Sequence, residues 1–191
     1  MNEVPLKYQI TEYDCGSTAV INAINYVVPF SDIPASFLKV IYGVCLNECN
    51  QTGMIGWEGT SPEAMKYLAQ WINRYSQKTG FPLHCDCYEE FSFQKNSPLL
   101  NMLRKGNCAI VVMCLLWDEH YITLTDADDE YIYLFDAYFW NKDYGDENII
   151  RIDFPYKANR KLPIGFMEET KGMFYNLSDV KKKIAVVFKW K

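Results

Sequence analysis

Cys15 stands six residues after Gln9 in the run Gln9–Cys15 (QITEYDC), and an apolar stretch of helical spacing starts directly behind it. A thiol at the start of a helix meets the positive end of the helix dipole, which favours its thiolate. The backbone N–H of Cys15 and the side-chain amide of Gln9 would converge on one point beside the sulfur. These are the parts for attack on a carbonyl carbon: a nucleophile and two donors for the oxyanion that forms. The same chemistry needs a base for the thiol proton and a group to orient that base.

Only two histidines exist, His84 and His120, so a histidine base is one of these two. His120 opens an alternating run in which Ile122 and Leu124 share its face. Beyond an acidic turn, Ile132, Leu134 and Asp136 share a face by the same period of two. A turn centred on Asp128 pairs Leu124 with Ile132, Ile122 with Leu134, and His120 with Asp136. Cross-strand Cβ atoms lie about 4.5–5.5 Å apart, within reach of an imidazole–carboxylate hydrogen bond. This register requires an odd number of loop residues, because a two-residue turn puts His120 and Asp136 on opposite faces. The roles then follow. Cys15 is the nucleophile, His120 the general base and acid, Asp136 the residue that orients the ring, and Gln9 an oxyanion donor.

A lone cysteine at a helix start is commonly just a small hydrophobe, and it is the ordered set Gln9, Cys15, His120, Asp136 that gives Cys15 a chemical reading. His84, in LHCDCYE, reads as an ordinary surface or edge-strand residue. Cys45 with Cys49, and Cys85 with Cys87, lack the spacing of a ring, knuckle or ribbon zinc site, so free thiols are expected and no cofactor or metal. Tyr138, Phe139 and Trp140 follow Asp136 and either cover the sheet edge or shield the His120–Asp136 hydrogen bond from water. Glu119 faces away from His120 and reads as solvated, as does the acidic tip Asp126–Glu130.

The elements that must hold these residues are legible in outline. A buried helix runs from Cys15, with Asp14 as its N-cap and Pro29 as its stop. A second covers residues 31–42, capped by Ser31 or Asp32 with Pro34 in its first turn. Gly43 to Gly59 reads as a loop. Ser61, Pro62 and Glu63 start a third helix that Gly80 and Pro82 end, and Ser97–Lys105 is a short fourth. Strands are expected at LHCDCYE, at Ala109–Trp117, over the two runs around Asp128, at Asn148–Phe154 and at Ile184–Trp190. Residues 155–183 show no readable pattern. Helices in the first half and strands in the second predict an α+β fold, with a helical side packed on an antiparallel sheet.

Composition narrows the class further. At 191 residues with 49% hydrophobic and 16% aromatic content, the chain suits one globular domain over residues 1–191. A net charge of −5 argues against nucleic acid, and the basic group Lys181–Lys183, Lys189 and Lys191 reads as a solvated face. No apolar run is long enough to span a membrane, and no membrane insertion is expected. Without an export signal, and with seven cysteines, an odd number, reduced thiols and a cytoplasmic setting are expected.

Gln9, the step to Cys15, the Asp14-Cys15-Gly16 triplet and the apolar helix resemble the papain-like cysteine peptidases. More narrowly they resemble the bacteriocin-processing (double-glycine leader) peptidase domains and their free-standing relatives. The helix start GTSPEAM at Gly59–Met65, HYITL from His120 and LFDAY around Asp136 are similar to that group as well, and the likeness spans roughly residues 9–137. It implies a papain-like fold and cysteine-dependent cleavage of an amide or ester, with a peptide or protein as substrate. The Gly43–Gly59 loop and residues 155–183 have no counterpart, so the substrate does not carry over. An acyltransferase or amide-forming enzyme using the same triad is the alternative within enzymes. A catalytically silent peptide-binding module is the alternative outside them.

Overall fold

The apolar run at Ala109–Trp117 becomes β2 (Cys108–Leu116), the strand around which the sheet is arranged. Its run is continuous because both faces are covered. Ala109, Val111 and Met113 join one core cluster, and Cys108, Ile110, Val112 and Cys114 join the other. The computed structural model describes residues 4–28, 33–169, 174–177 and 183–191.

In chain order the elements are α1 (Cys15–Val27), α2 (Ala35–Cys45), α3 (Pro62–Thr79), β1 (Leu83–Tyr88), α4 (Pro98–Arg104), β2, β3 (Asp118–Ala127) and β4 (Tyr131–Phe135). They continue with β5 (Ile150–Phe154), β6 (Ala158–Pro163), a 3₁₀ turn (Phe166–Glu168), β7 (Phe174–Asn176) and β8 (Ala185–Trp190). The strands form one antiparallel sheet in the order β1-β8-β2-β3-β4-β6-β5. β7 pairs with Leu115 and Leu116 of β2, beyond the last β8 pair at Val112. The fold is therefore α+β, as the sequence predicts, with β6 and β7 lying in the stretch that showed no pattern.

One face of the sheet carries α1, α2 and α3, which meet in a cluster that includes Ile24, Phe37, Ile41, Met65, Leu68 and Ile72. The other face packs on α4 through Leu99, Leu100 and Leu103. Ser61 and Ser97 cap α3 and α4, their hydroxyls accepting from Ala64 N and Leu100 N, each with proline at the first turn. Gly80 ends α3 at φ 74°, a left-handed turn that glycine adopts without a Cβ clash.

Three expectations need correction. α2 begins after Pro34, which sits at the cap rather than in the first turn. The cap residues Ser31 and Asp32, and the stop Pro29, lie outside the described residues. α2 also runs through Gly43 to Cys45, because Val44 and the fully buried Cys45 pack on the core, outweighing a glycine penalty of about 1 kcal/mol.

The hairpin register is the third correction. Leu124 pairs with Leu134 and Thr123 with Phe135, two residues away from the expected pairing. The loop between Ala127 and Ile132 has an even number of residues, which alone would put His120 and Asp136 on opposite faces. A bulge between Leu124 and Asp126 restores the parity, since it adds one residue to β3. His120 and Asp136 thus share a face as diagonal rather than direct neighbours, and Ile122, Leu124, Ile132 and Leu134 still share one cluster.

Candidate active site

Cys15 is the first residue of α1 and is 7% exposed. Asp14 holds the cap position, but its carboxylate does not cap the helix. It turns back instead, accepting from the backbone N–H groups of Ile10 (3.1 Å) and Thr11 (2.8 Å) and from the Thr11 hydroxyl (2.8 Å). The loop before Cys15 is thereby curled, while the Asp14 carbonyl takes the first helical hydrogen bond from Thr18 N at 2.9 Å.

The lead-in strap is fixed at two further points. Asn22, buried within α1, accepts from Lys7 N at 2.7 Å and donates to Lys7 O at 2.9 Å. Gln9 N donates to Ala137 O at 2.9 Å, so Gln9 lies beside the residue that follows Asp136. Its side-chain Nε2 donates to Thr11 O at 2.8 Å, and its Oε1 is buried without a partner. One amide N–H of Gln9 is committed to the loop, leaving its second for a ligand.

Behind Cys15, Gly16 packs on the GTS segment. A Cβ at position 16 would sit 2.7 Å from Thr60 Cβ and closer still to the Thr60 hydroxyl, which donates to Cys45 O. Gly16→Ala is expected to lower stability by roughly 1–3 kcal/mol, read by urea unfolding. An unchanged midpoint would mean that Thr60 yields freely.

His120 and Asp136 meet. The ring Nε2 donates to Asp136 Oδ1 at 2.8 Å, and the Cys15 thiol stands near enough to the same ring to add to its shift. With Nε2 engaged by the carboxylate, Nδ1 is the nitrogen left for the thiol. Burial works against the charged ring, yet the Asp136 charge and hydrogen bond, with a smaller contribution from Cys15, push His120 from 6.5 up to about 10. Asp136 is fully buried, which would raise its carboxyl. The His120 charge and hydrogen bond, Tyr175 and the Tyr138 N–H together hold it below the usual range. A buried imidazolium–carboxylate pair is stable only when its remaining lone pairs are satisfied, and here they are.

The groups that satisfy them were not visible in the sequence. Tyr175 Oη donates to Asp136 Oδ2 at 2.7 Å and Tyr138 N donates to Oδ1 at 2.8 Å. Asn159 clamps the Asp136 backbone from both sides, accepting from its N–H at 2.8 Å and donating to its carbonyl at 2.7 Å. Behind Tyr175 stands Tyr144, the two hydroxyls 3.0 Å apart, and Arg160 Nε donates to Tyr144 Oη at 3.1 Å. A buried chain thus runs from Arg160 through two tyrosines to the carboxylate that holds His120. Tyr175 has φ 58°, a left-handed backbone that a tyrosine adopts only where its surroundings demand it.

The aromatics after Asp136 split in function. Tyr138 presents an edge-on ring 6.4 Å from the His120 ring, and Trp140 packs with Trp117 at 4.6 Å. Trp117 also meets Phe174 at 5.1 Å, so an aromatic wall covers one side of the pair. Phe139 faces outward against Tyr8. His84 lies on the edge strand β1 and contacts Asp86 at 2.9 Å, away from Cys15. Among the described residues, no three His, Cys, Asp or Glu side chains group to hold a metal ion, and no helix is long and apolar enough to cross a membrane.

Cys15, His120 and Asp136 are therefore brought together, the last two hydrogen-bonded, with Gln9 tethered beside Asp136. Such a set can take a proton from a thiol, hold it on a ring and deliver it to a leaving group.

No protein-family model matches the chain, and a comparison with curated proteins found no match. Among solved structures, the chain is similar to a double glycine motif protease from an AMS/PCAT transporter, crystallised in complex with the leader peptide. The two share 14% identity over 98% of this chain and 91% of the other, with a TM-score of 0.43.

Proposed function

We propose that the protein is a cysteine peptidase of papain-like fold, one domain over residues 1–191, that cleaves a peptide bond through an acyl-enzyme on Cys15. The observation that carries this reading is the buried 2.8 Å His120–Asp136 pair, beside whose ring stands a thiol at a helix N-terminus. In this reading the proton given up by the thiol is held on His120, and the sulfur attacks the scissile carbonyl carbon. The oxyanion is held by Cys15 N–H and the uncommitted amide N–H of Gln9. His120 then protonates the departing amine. Water, deprotonated by the same ring, releases the acyl group and restores the thiol. Asp136 stays ionised throughout and fixes which ring nitrogen faces the sulfur.

The test is a digestion of a peptide library by the purified protein, with products and intact protein weighed. Cleaved peptides and an acyl adduct mapping to Cys15 are expected from the native protein after acid quench, and neither from Cys15→Ala. Products that survive in Cys15→Ala, or no products and no adduct from the native chain, would refute the reading.

A further inference from the structure

A cleft of about 910 Å³ opens beside Cys15, between the start of α1, the loop after α2 and the outer end of β3. Six carboxylates line it, Glu12, Glu48, Glu58, Glu63, Asp118 and Glu119, and no lysine or arginine does so among the described residues. Acidic residues on a surface are ordinarily a solvated face. This group is different because the same cleft is lined by Tyr121, next in sequence to His120. Tyr121 is 2% exposed, and its hydroxyl is buried with no hydrogen-bond partner. An unsatisfied buried hydroxyl carries an uncompensated desolvation cost, which a ligand group reaching it would recover.

We propose that this cleft is a specificity site for a lysine or arginine side chain of the substrate, one or two residues from the bond that Cys15 attacks. The proposal rests on the reading of Cys15 as the nucleophile. The ammonium or guanidinium sits among the carboxylates and donates to Tyr121 Oη at the floor. A low-dielectric wall on one side and a single sign of charge on the other concentrate the potential where the side chain enters. Burial raises the Tyr121 hydroxyl well above its ordinary value, with Cys15, Glu119 and Glu63 adding to the rise. At neutral pH it is therefore a neutral phenol with free lone pairs for a cationic donor. The long aliphatic stem of either side chain would lie along Met113 and Pro62, which share the lining.

The experiment uses four acetylated tripeptidyl chloromethyl ketones, carrying lysine or glutamate at the first or the second residue from the warhead and glycine or alanine elsewhere. Rates of Cys15 alkylation are read by mass spectrometry on the full chain. At one of the two positions the lysine reagent is expected to react about tenfold faster than its glutamate twin, an electrostatic preference that shrinks with added salt. That ratio is expected to fall by roughly threefold or more in Glu58→Gln/Glu119→Gln, and by a smaller factor in Tyr121→Phe, whose hydroxyl alone is lost.

Equal rates for lysine and glutamate at both positions, a preference for glutamate, or a lysine preference that survives both variants unchanged would overturn the proposal. The ratio can be read on any thiol that reacts at all, so it does not depend on catalysis. Failure of the peptidase reading has its own signature in the same samples: with neutral iodoacetamide, Cys15 would label no faster than the exposed Cys49.

Discussion

Replacing His120 with alanine is expected to slow the iodoacetamide labelling of Cys15 by about a hundredfold near pH 6, the low end of what a positioned base contributes. In the native protein the same site should label faster than any other cysteine. The comparison is unusually clean in this chain. Burial pushes Cys45 up to about 12 and Cys108 to about 11, and drives Cys85 and Cys114 well above the ordinary thiol value. Cys87 is raised by burial as well. Only Cys49 is exposed, and it serves as an internal standard in every sample. His120→Ala should bring Cys15 down to or below the Cys49 rate, while Cys49 itself does not change. If Cys15 and Cys49 label alike in the native protein, or if the alanine variant labels as the native does, the base assignment fails.

The second large effect concerns the carboxylate. Asp136→Asn is expected to destabilise the fold by roughly 3–5 kcal/mol, the cost of leaving one member of a buried ion pair without its partner. The loss should depend on pH in a defined direction. His120 is raised from 6.5 to about 10 in the folded chain, so its share is complete below 6.5 and fades as pH climbs through about 10. Asp136 is lowered from 3.8, so its share is complete above 3.8 and is lost as pH falls through the folded value.

The gap between native protein and Asp136→Asn in urea unfolding should therefore be widest between 3.8 and 6.5 and close progressively toward alkaline pH. Tyr175→Phe removes one hydrogen bond to the same carboxylate, and a milder cost of about 1–3 kcal/mol is expected, with the same trend. A gap that is constant from acid to base would mean that the pair is not charged in the folded protein.

How much of this was legible beforehand can be seen residue by residue. Cys15 was legible because a helix announces its start: an apolar period, a polar residue before it and a thiol at the junction. His120 was legible because only one other histidine competes with it. The pairing of His120 with Asp136 was right in face and wrong in register. Alternation reports which side of a strand a residue occupies, and that parity survives a slip of two or a bulge combined with an even turn. Nothing in the residue types of Leu124–Asp126 announces the bulge.

Asn22, Asn159, Tyr144 and Tyr175 were not legible at all. Each acts by satisfying a buried polar group on a distant stretch of chain, and such a bond leaves no period in the sequence. Tyr175 is the extreme case. It sits on a strand of three residues, too short for alternation to register, with a backbone angle that propensity argues against.

The position of that strand bears on the life of a nascent chain. Gln9, Cys15, His120 and Asp136 all precede Tyr175 and β8 in the chain. Until Tyr175 and β8 are in place, the carboxylate lacks one of its donors and the gap between β1 and β2 stays open. Sheet pairings between residues so far apart in sequence form late, because their loop entropy must be met first. The thiol is translated early and its base is anchored last. Anchoring of His120 is thus expected to accompany the closing of the sheet rather than to precede it.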